Sequence, residues 1–143
     1  MSATLTNANS VVAMTTEALY PQAQRLQGYA ADDAFESGAV ENGEYLMGID
    51  GKFSAGFVFN AVELTITIQA DSPSLQLFEN IWNYEQSNRT KLQQDVTVTA
   101  TALGRRYDYK QGYMTSYKAP AGKKILQPAV IVFQFARMSA SPL

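Results

Sequence analysis

The chain contains neither cysteine nor histidine. Without cysteine there is no disulfide framework, no thiol nucleophile and no thiolate metal site; the redox compartment stays open. Without histidine the commonest general base and the commonest metal ligand are missing together. Carboxylates, lysine, tyrosine or serine can still do chemistry, but no P-loop, G-x-G-x-x-G or G-x-S-x-G motif is present to organise it. An enzyme is therefore not expected, and neither a cofactor nor a metal. Long apolar runs are missing as well. No base precedes Arg25 in the Ser-, Thr-, Ala- and Asn-rich start, so neither a secretory signal nor membrane insertion is expected, and synthesis is expected in the cytoplasm.

What is present fits a globular domain. The 143 residues are 46% hydrophobic, which argues against disorder and allows about two thirds of the unfolded surface to be buried. One domain spanning residues 1–143 is expected, with residues 1–20 as a loose arm that holds a first short strand near Ser10 to Thr16. The net charge is −2, unevenly spread: through Asp95 there are twelve acids and four bases, and from Val96 onward one acid and seven bases. Either the halves interleave and cancel, or the subunit has an acidic and a basic side suited to head-to-tail self-association.

The chain is organised around Val62 to Glu85. Val62, Leu64, Ile66 and Ile68 alternate with Glu63, Thr65, Thr67 and Gln69, the period of a strand with one buried face. Asp71-Ser72-Pro73 breaks the pattern, with Ser72 placed to cap and Pro73 to open a helix. Leu75, Phe78, Ile81, Trp82 and Glu85 then fall near one helical side, which makes Phe78 and Trp82 core anchors. The helix ends in the polar Ser87-Asn88-Arg89-Thr90.

Either side of this unit reads as strand. Gln22 to Tyr29 and Asp33 to Val40 are strand candidates after the break at Pro21. Between Ala39 and Phe59, Asn42-Gly43 and Asp50-Gly51 are turn dipeptides, and Tyr45, Met47, Ile49, Phe53, Phe57 and Phe59 make a long hairpin arm with an apolar tip. A calcium loop fails there, because the D-x-[DN]-x-[DN]-G pattern is not met. An exposed aromatic arm calls for a partner to cover it. Asp95 to Leu103 alternates again, Gly104 marks a turn, Arg105 to Lys118 forms a strand interrupted at Gly112, and Lys123 to Arg137 closes the chain. In that last segment Ile131, Phe133 and Phe135 share a face, and Pro128 limits pairing at its start. The fold class is mainly β (α+β): two packed antiparallel sheets in a sandwich or barrel, one flanking helix and the hairpin arm.

Two clusters invite functional readings. Arg105, Arg106, Lys110 and Lys118 interleave with Tyr107, Tyr109, Tyr113 and Tyr117, as a single-stranded nucleic-acid site would require. Tyr107 and Tyr109 would share one strand face, and so would Tyr113 and Tyr117 if Gly112 leaves the register intact. The competing reading, a half-buried strand with tyrosines packed inward, is favoured, because a pI near 5.0 does not suit a dedicated nucleic-acid binder. Asp32-Asp33 and Glu41 with Glu44 are paired acids on expected turns, best read as solvated surface groups.

The order of elements resembles the tail tube proteins of contractile-tailed bacteriophages. The likeness covers roughly Gln22 to Phe135. It rests on Leu26-Gln27-Gly28-Tyr29 with an acidic segment after it, Gly48-Ile49-Asp50-Gly51 in a long hairpin loop, and the alternating Glu63 to Gln69. Asp71-Ser72-Pro73-Ser74, a single helix and the strand around Val130 to Phe135 complete it. The first 20 residues depart from the pattern. The resemblance implies a virion protein that forms hexameric rings stacked into a hollow tube, inside a contractile sheath and above a baseplate, with DNA as passing cargo. A tube-initiating or baseplate ring protein of the same fold is the neighbouring alternative. On this reading Tyr45, Met47, Ile49, Asp50, Gly51, Phe53 and Phe57 contact neighbouring subunits. Since a lumen for DNA should avoid phosphate-binding basic patches, Glu63, Thr65, Thr67 and Gln69 are expected to line the channel.

Overall fold

The computed structural model describes residues 11–26, 35–122 and 125–143. The Leu26-Gln27-Gly28-Tyr29 motif beyond Leu26, the Asp32-Asp33 pair, Lys123-Lys124 and the first ten residues lie outside them. In chain order the elements are β1 (Val11–Thr16), β2 (Tyr20–Arg25), β3 (Phe35–Ser37), β4 (Gly43–Met47), β5 (Phe53–Phe57), β6 (Val62–Ile68), α1 (Leu75–Asn88), β7 (Gln94–Ala100), β8 (Arg105–Lys118) and β9 (Ala129–Pro142). A short 3-10 turn, Thr101–Leu103, separates β7 from β8.

The class is mainly β, with two antiparallel sheets and one helix. The larger sheet has seven strands in the order β2-β1-β7-β8-β9-β6-β3, and the smaller one is the hairpin β4-β5. The long strands β8 and β9 organise the larger sheet. The first half of β8 pairs with β7 and with the end of β9, Arg105 facing Pro142; its second half pairs with the start of β9, Lys118 facing Val130. That start of β9 is also the partner of β6. The two halves of the sheet meet at a bulge near Gln111, whose φ is 54°, next to a register shift opposite Gln94 and Val96. Bulged strands that pass from one layer to the next form the corners of such folds. Gly112 follows the bulge and faces Phe135; a Cβ there would overlap the Phe135 ring, so only glycine permits this approach.

Both halves and the helix bury one core. Val12, Met14, Val96 and Val98 from one half join Leu64, Ile66, Ile131, Phe133 and Phe135 from the other, with Phe78 and Ile81 from α1. Phe78, Phe133 and Phe135 form a chain of ring contacts with centroids 6.1 and 5.8 Å apart, a geometry that adds to the burial of their area. The helix is tethered at two points, mid-helix and near its C-terminal end. Asn80 Nδ2 donates to the Tyr20 hydroxyl at 2.8 Å. At the second point, buried Glu85 accepts from the Leu92 amide at 2.9 Å and from Lys91 Nζ at 3.0 Å, while Lys91 also donates to the Met114 carbonyl at 2.6 Å. Each partner satisfies a carboxylate that would otherwise be costly to bury.

Several expectations are corrected. The helix starts at Leu75 rather than Pro73; Ser72 Oγ instead accepts from the Ser74 amide, 3.1 Å away, in the turn before it. It ends as expected, with Arg89 in the left-handed region. Trp82 is not a core anchor: it is 36% exposed and stacks on Tyr117 at 5.9 Å. Phe78, Ile81 and Glu85 set the buried line, and Trp82, one residue past Ile81, is turned about 100° away from it. Pro21 lies inside β2, which tolerates the missing N–H because it is an edge strand. Asn42-Gly43 makes no hairpin turn; Gly43 opens β4 opposite Phe57. A strand is expected over Asp33 to Val40; Asp33 and Ala34 lie outside the described residues, and from Phe35 onward β3 covers Phe35–Ser37. β7 stops at Ala100, whereas β9 runs five residues beyond Arg137 because the first half of β8 is there to pair with it.

Candidate assembly surface

The hairpin β4-β5 stands apart from the core. Its register places Tyr45 opposite Ala55, Met47 opposite Phe53 and Gly43 opposite Phe57. Because side chains alternate along a strand, Tyr45, Met47, Phe53, Ala55 and Phe57 share one face, and Glu44, Leu46, Ser54 and Gly56 the other. The ribbon is thus amphipathic, yet its apolar face is not covered: Tyr45, Met47, Phe53 and Phe57 are each more than 60% exposed. Tyr45 and Phe53 stack diagonally at 5.8 Å, and Phe57 meets Phe59 edge-on at 4.9 Å. These rings pack on one another instead of on the body.

The tip is tightly built. The Gly48 amide donates to the Lys52 carbonyl at 2.8 Å, and the Gly51 amide donates to the Gly48 carbonyl at 3.0 Å. Asp50 Oδ1 turns back to accept from the Lys52 amide at 3.1 Å, and Gly51 takes φ 86°, the left-handed region that glycine enters freely. Asp50-Gly51 is therefore the turn that the sequence predicts, and it projects Ile49 fully into solvent. At the base, the Val58 amide donates to the Asn42 carbonyl at 2.9 Å, and the Asn60 side-chain amide donates to the Glu41 carbonyl.

The polar face of β6 is placed differently. Glu63 is exposed, and Thr65 and Thr67 are half-buried between neighbouring strands, opposite Gln134, Val132 and Val130 of β9. Glu36 of β3 lies beside Thr65. Gln69 follows Ile68, the last residue of β6, and lines an open cleft of ≈ 470 Å³ with Ala70, Asp71, Ile125, Leu126 and Pro128. Ile125 and Leu126 are 78% and 60% exposed there.

The Arg105 to Lys118 stretch does not form an aromatic platform. Tyr109 is buried against Phe135, with centroids 5.3 Å apart, and Tyr107 packs on the same core. Tyr117 is held against Trp82. A further irregularity between Met114 and Ser116 separates Tyr117 from exposed Tyr113, so these two do not share a face. Arg106 is paired with Asp108 at 3.2 Å, and Asp108 also accepts from Thr97 at 3.0 Å. The inward-packed strand is the reading the geometry supports.

Leu46 and Phe59 of the arm, and the Ile125-Leu126 pair, are exposed apolar residues that the candidate site from sequence left out. Leu46 falls on the polar face by parity, Phe59 lies past β5, and Ile125-Leu126 sits on a loop with no period to read. The signal for the last was an apolar pair between Gly122 and Pro128 where solvent contact is expected.

A family profile described as tail fiber protein gp32 matches residues 3–136. The chain belongs to that family. Among solved structures, this gp32-family chain is similar to one from the sheath–tube complex of an extracellular contractile injection system in its extended state. The TM-score is 0.63 at 12% identity, over 92% of this chain and 88% of that one. It is likewise similar to a chain from the anti-feeding prophage tube-terminating cap (TM-score 0.64, 10% identity, 100% and 94% covered). A third is from the anti-feeding prophage baseplate (TM-score 0.61, 11% identity, 99% and 98% covered). At such identities the likeness is one of fold, and it spans nearly the whole of each chain. No curated protein sequence matches. The gp32-family chain therefore has a phage-tail-tube-like fold.

Proposed function

We propose that the protein is a structural subunit that self-assembles into stacked, hexameric rings forming the inner tube of a contractile tail. The observation that carries the reading is the uncovered apolar face of β4-β5 on a body of tube-like fold. An isolated two-stranded ribbon is marginally stable in water, and a contiguous apolar patch of this kind marks an interaction site. A heterologous contact, in which the arm of one copy meets a different surface on the next, closes into rings or repeats along an axis. Tyr45, Met47, Ile49, Asp50, Gly51, Phe53 and Phe57 are the contacting residues. Self-assembly is the whole of the activity; no chemistry is assigned.

On this reading the protein resides in the virion tail, touches sheath and baseplate proteins, and passes DNA as cargo. Glu63, Thr65 and Thr67 are proposed to face the lumen, since uncharged hydroxyls and a carboxylate do not hold phosphate. The likeness to cap and baseplate chains favours a second reading, a ring that initiates or terminates the tube; copy number per virion separates the two. Electron microscopy of the purified protein is expected to show rings or tubes of uniform width. Protein that stays monomeric at high concentration, and also fails to assemble with its tail partners, would overturn the proposal.

A further inference from the structure

If the arm covers its apolar face against another copy, that copy must offer a complementary surface. We infer that the cleft lined by Gln69, Ala70, Asp71, Ile125, Leu126 and Pro128 receives the arm tip of a second copy of this chain. The inference rests on the tube reading and names its receptor.

Three observations converge on the cleft. First, it is concave and apolar along Ala70, Ile125, Leu126 and Pro128, and Ile125 and Leu126 are as exposed as the arm's own rings. It is the concave counterpart of a protruding, fully exposed Ile49. Second, a complementary charge pair is available. Asp50 and Lys52 are both exposed at the tip, Asp50 Oδ1 accepting from the Lys52 amide, and Lys52 is the cation that can meet an anion on another copy. The cleft holds exposed Asp71, and neither forms an ion pair among the described residues. A cation on the convex side and an anion on the concave side fix the register of an otherwise apolar contact. Third, the reach is sufficient. Five-residue strands extend the tip about 17 Å beyond the base of the arm. Among the described elements the ribbon packs mainly on itself, which leaves its apolar face available to a second copy.

The absence of cysteine makes the test clean. Introducing Ile49→Cys together with Ile125→Cys, assembling the protein and then oxidising it mildly is expected to give a ladder of disulfide-linked multimers on a non-reducing gel. Each single variant should give no ladder. In parallel, Lys52→Glu alone and Asp71→Lys alone should each lower the assembled fraction about tenfold, and the combined reversal should restore it. These positions are exposed, so the variants are expected to keep the monomer's circular dichroism and melting temperature. Rings or tubes of the double variant that form without a disulfide between positions 49 and 125, or reversals that do not rescue each other, overturn this inference and leave the tube reading standing. An unmodified chain that assembles under no condition removes both.

Discussion

Two regions of this molecule are built from the same kind of strand and end in opposite environments. In β9, Ile131, Phe133 and Phe135 alternate along one face and are at most 1% exposed. In the arm, Tyr45 and Met47 alternate along β4, and Phe53 and Phe57 along β5, yet all four are more than 60% exposed. Local sequence explains why both form strands, since alternation and aromatic content suit a pleated ribbon with one apolar side. It does not say what lies over that side. In β9 the chain itself supplies the cover, through α1 and the opposite half of the sheet. In the arm none of the described residues covers the rings, and the apolar face stays open to solvent.

That contrast can be broken, most forcefully at the core. Phe133→Ala removes the ring between Phe78 and Phe135 and should cost about 3–5 kcal/mol, measured by denaturant unfolding. A loss below about 1 kcal/mol would mean that the core is not packed as described. Gly112→Ala places a Cβ against the buried Phe135 ring, and overpacking of this kind costs about 1–3 kcal/mol. A melting temperature equal to wild type would show that β8 and β9 do not approach so closely there.

A smaller change runs in the opposite direction. Gln94 is 1% exposed, and neither its Oε1 nor its Nε2 has a hydrogen-bond partner among the described residues. Gln94→Leu removes an unsatisfied buried amide from the core and should raise stability by about 1 kcal/mol. A decrease would mean that the amide is satisfied in solution, for example by buried water.

Tyr109 gives the core a signature in alkali. Burial pushes its hydroxyl above the ordinary 10.0; a hydrogen bond with Ser37 pulls it partly back, and Tyr107 pushes it up again. The folded state therefore holds the proton more tightly than the unfolded one. Its contribution to stability is complete below pH 10.0 and is lost as pH rises through the folded value. Tyr117, raised first by burial and then by Glu79, acts in the same sense. Tyr109→Phe should flatten the fall in melting temperature above about pH 10, and an unchanged slope would count against its burial. The smallest effect on stability belongs to the arm. Phe53→Ser should change the monomer's unfolding free energy by no more than about 0.5 kcal/mol while reducing assembly. A large loss of monomer stability would show that the arm packs on its own body.

Much of the fold was legible in the residues. Val62 to Ile68 and the β9 face alternate without interruption, and Asp50-Gly51 offers the positive φ that its turn uses, so these elements could be read locally. The alternation of β4 and β5 was legible for the same reason. The misreadings share a cause, which is that each depended on a distant partner. Trp82 fits a helical stripe, but the line facing the core is set by where Phe133 lies. Gly112 looks like a break, yet it is a close approach to Phe135 on the neighbouring strand. The cleft beside Gln69 is completed by the distant loop carrying Ile125 and Leu126, which no local period announces.

By itself, then, the sequence determined where the most regular strands and the helix lie, which face of those strands is apolar, and that histidine and thiol chemistry are excluded. These properties follow from side-chain identity and from the strand and helix periods, which need no long-range information. Only the tertiary structure decided which apolar faces are covered. Burial depends on contacts between segments far apart in the chain, and those contacts fill the space over β9 and leave the arm and the Ile125-Leu126 cleft open.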